Sequence, residues 1–352
     1  MKFSIFDLGS QVSGMSHSDI YRSYIDRAVL GEKLGFDAYY ATEHHFDPAF
    51  QIVPSPHLLI PAIAAKTSKI RLGVMCTILP QHHPVRVAEE IRMMDILTNG
   101  RLEMGFGRGA QGKEQAGYGV DRAEAATLFD QSLNLVTTLL RDDEVDSYDA
   151  GPWKGAHVQL VPEATQKPYP PMWITAVSDS SLIKAGKQGL KVATSFMSGD
   201  EELRTMGVYR DAWRAARPGN GHYACMHHVF VARTEKEANE VARPFIEGWL
   251  GNWLKIVGDA PTEKVDRGYE EHAAYFKRIA GAKFDDAVAN DMVIFGTPDQ
   301  VAKQLGRLKE RGVDEFLGWF QFGGLDIEAA NQSMELFGNE VAPRVNRVLE
   351  QA

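Results

Sequence analysis

The sequence predicts an α/β fold, a closed (β/α)8 TIM barrel with insertions. Three observations support this prediction: short apolar runs alternate with amphipathic helical stretches, eight such runs occur, and the chain has 352 residues. Strands that alternate with helices form parallel sheets, because each helix returns the chain to the same edge. Eight strand–helix units with insertions suit a closed barrel in a chain of this length. A doubly wound open sheet is the second interpretation.

Four strand–helix units are predicted in the first half of the chain. Ser18 is expected to cap the first helix and Gly35 to end it, because these residue types are common at helix starts and ends. Pro84 stands at the start of a later helix. The predicted strands are 2–7, 37–41, 70–78 and 102–106, and the predicted helices are 18–34, 56–66, 84–97 and 122–140.

The second half contains four further strands and two segments that do not fit the repeating unit. Residues 143–170 are polar and contain Gly and Pro, and residues 234–290 are helical with breaks but too long for one crossover. No Pro/Gly/Ser linker divides the chain, so we expect one domain, 1–352, with insertions at about 143–170 and 252–293. The predicted strands are 172–176, 192–195, 227–232 and 316–320, and the predicted helices are 178–188, 200–217, 298–311 and 326–350.

The composition argues against several classes of protein. The net charge is −9 and no Lys/Arg cluster is present, which is not typical of a nucleic-acid-binding protein. No apolar run approaches about 18 residues, so we expect no membrane span. The first residues, MKFSIFDLGS, are typical of a strand and not of a signal peptide. Cys76 and Cys225 are expected to be reduced, buried thiols of a cytoplasmic protein.

Polar clusters follow three of the predicted strands. In a (β/α)8 barrel the functional residues lie at the carboxyl ends of the strands, so these clusters should converge on one mouth. They are Glu43-His44-His45 after the second strand, Gly107-Arg108-Gly109 after the fourth, and Ser178-Asp179-Ser180-Ser181 after the fifth.

Two adjacent histidines, His44 and His45, belong to the first cluster. Neighbouring residues seldom ligate one metal together, and a metal would need further ligands, so we expect no metal site here. Two interpretations remain open and carry equal weight on the residues alone. Either the histidines are structural and hydrogen-bonded at a strand end, or they relay protons near neutral pH.

Arg108 lies in a glycine-rich loop, GFGRGAQGKEQAGYG. The loop loosely fits the dinucleotide-binding pattern GxGxxA, but that pattern needs a helix to open at once, and the next helix is predicted only after Asp121. We interpret the loop as presenting Arg108 to an anion, since a guanidinium is a planar fork for phosphate oxygens. Pairing of Arg108 with a nearby carboxylate is the alternative.

Three serines, Ser178, Ser180 and Ser181, open a predicted helix. Helix capping alone explains one of them, whereas free N–H groups and hydroxyls at a helix start also bind phosphate. In isolation the two interpretations are comparable. Together with Arg108 at a neighbouring strand end, phosphate binding is favoured.

Four further residues are ambiguous. Cys76 ends the third strand and is interpreted as a buried small residue unless a cofactor lies nearby. Trp249 is interpreted as a packing residue, while Trp319 and Phe320 fit the lining of a pocket and the packing of a barrel equally well.

Long segments of the chain resemble the bacterial luciferase superfamily of flavin-dependent monooxygenases, in particular the luciferase α-like chains. They keep the family's order and spacing over nearly the whole chain, so the resemblance is more specific than any single motif. The segments are LGFDAYYATEHHF, ILPQHHPVRVAEEIRMMDILTNGRLEMGFGRG, PMWITAVSDSSLIKAGKQGL, GTPDQVAKQL and EVAP.

The resemblance implies a cofactor and the residues that bind it. FMN would be taken up in reduced form from a separate flavin reductase and would lie across the barrel mouth. Arg108 and Ser178 would hold its phosphate with help from the helix start, and a cis peptide bond between Met75 and Cys76 would lie under the flavin ring. The implied catalytic residues are His44 and His45, and the implied cofactor-binding residues are Met75, Cys76, Arg108, Ala176, Val177, Ser178, Ser180 and Ser181.

The resemblance also implies a reaction. Reduced flavin and O2 give a C4a-hydroperoxide, which a dry pocket protects while His44 manages the proton as acid/base. The substrate would be a small organic molecule, such as an aldehyde, a ketone or a hydrocarbon-like compound. A homodimer is expected through helices beside the second and third strands. A mobile lid is expected within about 255–295, where residues 269–272 (Tyr-Glu-Glu-His) have no assigned role.

The chain departs from the family at four positions. Met75 and Cys76 stand where small residues are typical, Gly107 where the luciferases often have a reactive Cys, and Val177 where they often have a Glu. The last two departures count against light emission from an aldehyde and leave phosphate binding unaffected. Two alternatives to a monooxygenase are a deazaflavin- or flavin-dependent dehydrogenase on the same fold and a non-catalytic flavin-binding subunit. The segment EHHF with its spacing favours the monooxygenase over the dehydrogenase, and retention of His44 and Arg108 argues against the non-catalytic subunit.

Overall fold

A parallel sheet forms the centre of the molecule in a computed structural model, which describes residues 1–47, 51–256 and 269–347. Its strands are short and largely buried, as expected where helices cover a sheet. The strands in chain order are β1 (Lys2–Asp7), β2 (Ala38–Ala41), β3 (Arg71–Ile78), β4 (Leu102–Gly107), β5 (Glu144–Val145), β6 (Tyr148–Ala150), β7 (Trp153–Gly155), β8 (Val158–Gln159), β9 (Met172–Thr175), β10 (Lys191–Ser195), β11 (Tyr223–Val231), β12 (Val293–Gly296) and β13 (Glu315–Trp319).

Eight of these strands close into a barrel. β1 pairs in parallel with both β2 and β13, and β10 pairs in parallel with both β9 and β11, so the two ends of the sheet meet. The order around the ring is β1, β2, β3, β4, β9, β10, β11 and β13. This closure confirms the predicted (β/α)8 barrel, and the open doubly wound sheet is wrong.

Helices surround the ring and supply the connections between parallel strands. Among the described residues, no helix is both long and apolar enough to cross a bilayer. The helices are α1 (His17–Leu34), α2 (Pro56–Ala64), α3 (Pro84–Leu97), α4 (Gly112–Gly117), α5 (Ala125–Asp142), α6 (Asp179–Gln188), α7 (Gly199–Ala216), α8 (Glu235–Val241), α9 (Arg243–Ile256), α10 (Glu270–Gly281), α11 (Phe284–Ala289), α12 (Pro298–Arg311), α13 (Ile327–Leu336) and α14 (Ala342–Arg347).

Two local predictions about helices are wrong. The glycine-rich loop after β4, predicted to be free of helix as far as Asp121, contains α4. The cap of α1 is Ser16 and not Ser18, because the Oγ of Ser16 accepts the N–H of Asp19 at 3.2 Å. The first error is a missed short helix, and the second displaces the start of α1 by two residues, which changes the residue that caps it.

Within the nine-stranded sheet, the sequence misses one strand and part of another. β11 begins at Tyr223, four residues before the predicted start, and its far end from His228 to Val231 pairs with β12. β12 lies outside the closed ring and has no counterpart among the predicted strands. A four-residue strand at the edge of a long helical region gives little periodicity to detect.

The two predicted insertions have different structures. Residues 143–170 contain two small antiparallel pairs, β5 with β8 and β6 with β7. The second insertion, predicted at 252–293, contains α10 and α11. Residues 257–268 of that insertion lie outside the described residues.

A charged cluster fills the barrel interior near the amino ends of the strands. The carboxylate of Glu103 accepts hydrogen bonds from Arg71 Nε at 2.5 Å, Trp173 Nε1 at 2.6 Å and Lys191 Nζ at 2.9 Å. Burial alone would raise the pKa of Glu103, but the two cations outweigh it and lower that pKa. The side chains of this cluster fill the barrel at the amino ends of the strands. Among the described residues, the space for a ligand in the barrel lies toward the carboxyl ends of the strands.

Candidate active site

A cavity of about 320 Å³ lies at the carboxyl ends of the barrel strands. Its walls come from strands far apart in sequence, as the predicted convergence requires. The cavity brings together most of the residues named from the sequence, namely His44, Met75, Cys76, Arg108, Ala176, Val177, Ser180 and Ser181. His45 and Ser178 stand directly behind this wall and do not line it.

His44 is held from behind by a carboxylate. Its Nδ1 lies 3.0 Å from Glu114 Oε1 and 3.1 Å from Gln111 Nε2. Glu114 is buried, and the same carboxylate oxygen accepts the backbone N–H of His45 at 2.8 Å. Because a carboxylate only accepts, the contact with Glu114 requires a proton on Nδ1, in which case the amide of Gln111 bonds there only through its oxygen. Nε2 is then the unprotonated nitrogen of the neutral ring.

His45 belongs to a second, deeper network. The buried carboxylate of Glu43 accepts from His45 Nε2 at 2.9 Å, from His82 Nε2 at 2.7 Å and from the N–H of Ile78 at 3.2 Å. Burial alone would raise the pKa of Glu43, but these hydrogen bonds outweigh it and lower the pKa to about 2. For His82, burial acts to lower the pKa, but the hydrogen bond to Glu43 outweighs burial, so the pKa of His82 is raised. Glu43 and His82 therefore form an ion pair that anchors the strand end.

The floor of the cavity lies between β3 and β4. The peptide bond between Met75 and Cys76 is cis, as the resemblance implies. Burial raises the pKa of the Cys76 thiol to about 12, so it is a neutral thiol, and its Sγ accepts from Thr175 Oγ1 at 3.2 Å. A Cβ at Gly107 would overlap this sulfur. The absence of a side chain at Gly107 is thus explained by the presence of Cys76.

The cavity wall also contains donors suited to an anion. Ser180 and Ser181 line it at the start of α6, and Ser178 caps that helix by accepting the N–H of Ser181 at 3.4 Å. Arg108 lines the same cavity, with its guanidinium carbon 3.9 Å from the centre of the Tyr269 ring. The guanidinium carbon of Arg122 lies 4.1 Å from the centre of that ring.

Several site residues are missed by the sequence reasoning. Glu114 and Gln111 lie on or beside α4, which the sequence does not predict, so no signal placed them near His44. His82 is given no role by the sequence reasoning. Tyr269 is singled out without a role, and in the structure it stacks on the guanidinium that was expected to bind phosphate.

One group of potential metal ligands lies away from the mouth. Among the described residues, donor atoms of Glu202, Cys225 and His227 lie within 4.8 Å of one another. All three are buried, and His227 Nε2 contacts Glu202 Oε1 at 2.5 Å. Since Glu202 belongs to α7, this group packs between the barrel wall and its outer layer and takes no part in the cavity.

Comparison with known proteins decides the family. The family model of luciferase-like monooxygenases matches residues 1–315. The chain belongs to the luciferase-like monooxygenase family. The resemblance stated from the sequence is thereby confirmed, and the fold and the mouth cavity described above are those of a family member.

Individual relatives cover almost the whole chain at low identity. The oxygenase component of the flavin-dependent trigonelline monooxygenase of Acinetobacter baylyi is 27% identical, over 97% of this chain and 95% of that protein. The alkanal monooxygenase alpha chain of Photobacterium leiognathi is 26% identical, over 98% and 99%.

A solved structure agrees with the same fold. The oxygenating constituent of the 3,6-diketocamphane monooxygenase of Pseudomonas putida, a type II Baeyer–Villiger monooxygenase in complex with FMN, superposes with a TM-score of 0.82. The two chains are 23% identical, and the match covers 98% of this chain and 99% of the other.

Proposed function

We propose that this protein is the oxygenase component of a two-component flavin-dependent monooxygenase. It would receive reduced FMN from a separate flavin reductase and use O2 to oxygenate a small organic molecule: an aldehyde, a ketone or a hydrocarbon-like compound. The observation that carries the proposal is the shared wall of one cavity. An imidazole, His44, and an anion-binding end, Arg108 with Ser180 and Ser181, face the same space.

The donor set fits FMN. A phosphate dianion needs cationic and hydroxyl donors, which Arg108, Ser180 and Ser181 provide at the start of α6. A flat ring system needs an apolar floor without projecting side chains, and Gly107 beside Met75 and Cys76 provides one. When bound, reduced FMN supplies the activation of O2, which no side chain of this chain can perform.

His44 is the proposed acid/base. Glu114 fixes its orientation, so that Nε2 can accept or return a proton in the cavity. The neutral thiol of Cys76 is unsuited to nucleophilic attack, because the thiolate is the reactive form. We therefore assign Cys76 to shaping the floor and His44 to the proton.

The remaining lining excludes water. Phe6, Leu8, Phe129, Tyr275 and Phe276 contribute apolar or aromatic surface to the cavity. A dry site protects a reactive oxygenating species from unproductive breakdown. Tyr275 and Phe276 belong to α10, so the second insertion contributes to this shielding.

We further propose a cytoplasmic homodimer. Four large apolar side chains on α2 and α3 are exposed, which is unusual for a solvated surface and typical of an interface. Both cysteines are free, as expected in a reducing compartment. The exposed side chains are Leu58, Met93, Ile96 and Leu97.

The test is an anaerobic binding titration of the full chain with reduced FMN, reduced riboflavin and a reduced deazaflavin. We expect reduced FMN to bind best, and Arg108→Gln to weaken FMN about tenfold or more while changing riboflavin little, since riboflavin lacks the phosphate. Arg141→Gln, on the exposed end of α5, is the matched control. Preference for the deazaflavin would favour a dehydrogenase, and failure of every flavin to bind would refute the proposal.

A further inference from the structure

His228 is a buried histidine whose polar atoms have no protein partner. It has no solvent exposure, and among the described residues neither Nδ1 nor Nε2 accepts or donates a hydrogen bond. Buried polar groups in native proteins nearly always have partners, and each exception needs an explanation. The neighbouring His227 shows the usual case, because both of its ring nitrogens have partners, Met292 O and Glu202.

Aromatic rings surround His228. We call this group the His228 cluster; the indole N–H of Trp319 in it also lacks a partner. Burial lowers the pKa of His228, so its ring is neutral and offers one donor and one acceptor. The ring centroids lie 4.9 Å away for Phe196, 4.4 Å for Trp249, 4.6 Å for Trp319 and 5.0 Å for Phe322.

The His228 cluster adjoins the candidate active-site cavity. Met226 on β11 and Leu317 on β13 line the cavity, and His228 and Trp319 are the next residues on the same faces of these strands. Phe196 belongs to both, since it lines the cavity and contacts His228. Its backbone has a φ of 47°, a conformation that a bulky residue rarely adopts.

A purely structural role does not account for this arrangement. A phenylalanine at position 228 would fill the aromatic surroundings without leaving polar atoms unsatisfied, and burying an unpaired donor or acceptor is unfavourable. A ligand that carries an acceptor would satisfy the donor N–H of the imidazole. The flat walls of indole and phenyl rings favour a flat ligand, because aromatic rings stack face to face with an offset or edge to face.

We propose that His228 is the hydrogen-bonding group of a substrate subsite for planar aromatic compounds that carry an uncharged carbonyl. The rings of Phe196, Trp249 and Trp319 already contact one another and His228, so the ring of Phe196 turns aside and the aromatic ring of the ligand takes its place beside Trp249 and Trp319. His228 donates its N–H to the carbonyl oxygen of the ligand. This inference rests on the proposed function, in which such a molecule is the substrate that is oxygenated.

The experiment compares two probes of the same shape, acetophenone and α-methylstyrene, in which a CH2 group replaces the carbonyl oxygen. Ligand-observed NMR titrations of the full chain, with and without FMN, give both affinities for wild type, His228→Phe and His228→Gln. We expect wild type to bind acetophenone about tenfold more tightly than α-methylstyrene. His228→Phe should bind the two equally, with unchanged affinity for α-methylstyrene, and His228→Gln should regain part of the preference.

Thermal unfolding separates recognition from a structural role. His228→Phe should unfold at or above the wild-type temperature, whereas His227→Phe, which breaks the bond to Glu202, should unfold at a lower one. Equal affinities in wild type, an undiminished preference in His228→Phe, or no binding of either probe would overturn the inference. These titrations do not need flavin, so their result does not depend on whether FMN binds. The binding of FMN, measured separately, tests the proposed function and not this inference.

Discussion

The Nδ1 of His44 lies 3.0 Å from the carboxylate of Glu114, a residue 70 positions further along the chain. The contact joins the end of β2 to α4, and it gives the imidazole a fixed orientation toward the cavity. The arrangement has the form of a carboxylate–histidine dyad, in which the acceptor sets the tautomer and stabilises the imidazolium when a proton is taken up.

Glu114→Gln should lower the turnover number for oxygenation about ten- to hundredfold and leave the affinity for FMN within about twofold. The amide can still form a hydrogen bond but lacks the negative charge that stabilises a protonated imidazole during proton transfer. Steady-state kinetics with a coupled reductase measures both effects. Glu163→Gln, on an exposed side chain, is the control, and equal turnover in both variants would remove Glu114 from the mechanism.

His44→Ala should lower the yield of oxygenated product by about 10²- to 10⁴-fold, the usual contribution of a positioned acid/base. Flavin binding should persist, because His44 is not among the residues proposed to hold the phosphate. Product yield and peroxide release are measured together. A variant that still binds flavin but no longer oxygenates should release peroxide, whereas a variant that no longer binds flavin should not. His157→Ala, a surface histidine, serves as the reference. An unchanged product yield would favour the hypothesis that this chain is a non-catalytic flavin-binding subunit.

Glu43→Gln should change how stability depends on pH. The pKa of Glu43 is about 2 in the folded protein against an ordinary value of 4.5, so its ionisation stabilises the fold above pH 4.5 and that contribution of about 3 kcal/mol is lost as the pH falls toward 2. The raised pKa of His82 acts in the opposite sense, since its contribution is present below pH 6.5 and lost as the pH rises through that raised pKa.

Urea unfolding of Glu43→Gln, measured from pH 7 to pH 3, should therefore show lower stability at neutral pH and a shallower loss on acidification. Glu163→Gln should follow the wild-type curve, because its carboxylate is exposed. A Glu43→Gln curve parallel to wild type would mean that the fold does not lower the pKa of Glu43.

Gly107→Ala should destabilise the protein by about 1–3 kcal/mol, because the added methyl group overlaps the Sγ of Cys76. Shortening the neighbour, in the double variant Gly107→Ala with Cys76→Ala, should recover most of this loss. Gly207→Ala is the control, since a Cβ there meets nothing within 4 Å and helix propensity favours Ala. Denaturant unfolding measures all three, and additive effects of the two substitutions would contradict the steric explanation.

Leu58→Lys together with Met93→Lys should convert the proposed homodimer to a monomer in sedimentation velocity. Both side chains are exposed and lie on α2 and α3, so the fold of the monomer should be preserved. Leu203→Lys, an exposed apolar residue on α7, should leave the oligomeric state unchanged. A wild-type protein that sediments as a monomer would refute the dimer directly.

The sequence predicts the barrel and its mouth because both depend on strong, local patterns. The apolar runs of β1, β3 and β4 and their flanking helices are long enough to show the correct period. The rule that parallel strands present their carboxyl ends at one edge then places His44, Arg108 and Ser180 together without knowledge of side-chain contacts.

The partners of those residues could not be predicted, for physical reasons that differ from case to case. Glu114 lies on α4, a six-residue helix whose two glycines and polar residues show no helical period. His228 has the same sequence signature as His227, and only the folded barrel shows that one faces α7 and the other an aromatic cluster. Tyr269 reaches Arg108 from a distant insertion, which no local pattern encodes.

The tight approach of Cys76 to Gly107 has a consequence for how this family diversifies. The sulfur on β3 occupies the volume that a side chain on β4 would need, so we expect the two positions to change together. Family members that acquire a cysteine in place of Gly107 should carry a smaller residue in place of Cys76. If position 107 changed first, its new side chain would overlap the sulfur of Cys76; if position 76 changed first, a small void would remain beside Gly107. Either intermediate would be poorly packed unless both codons changed in close succession.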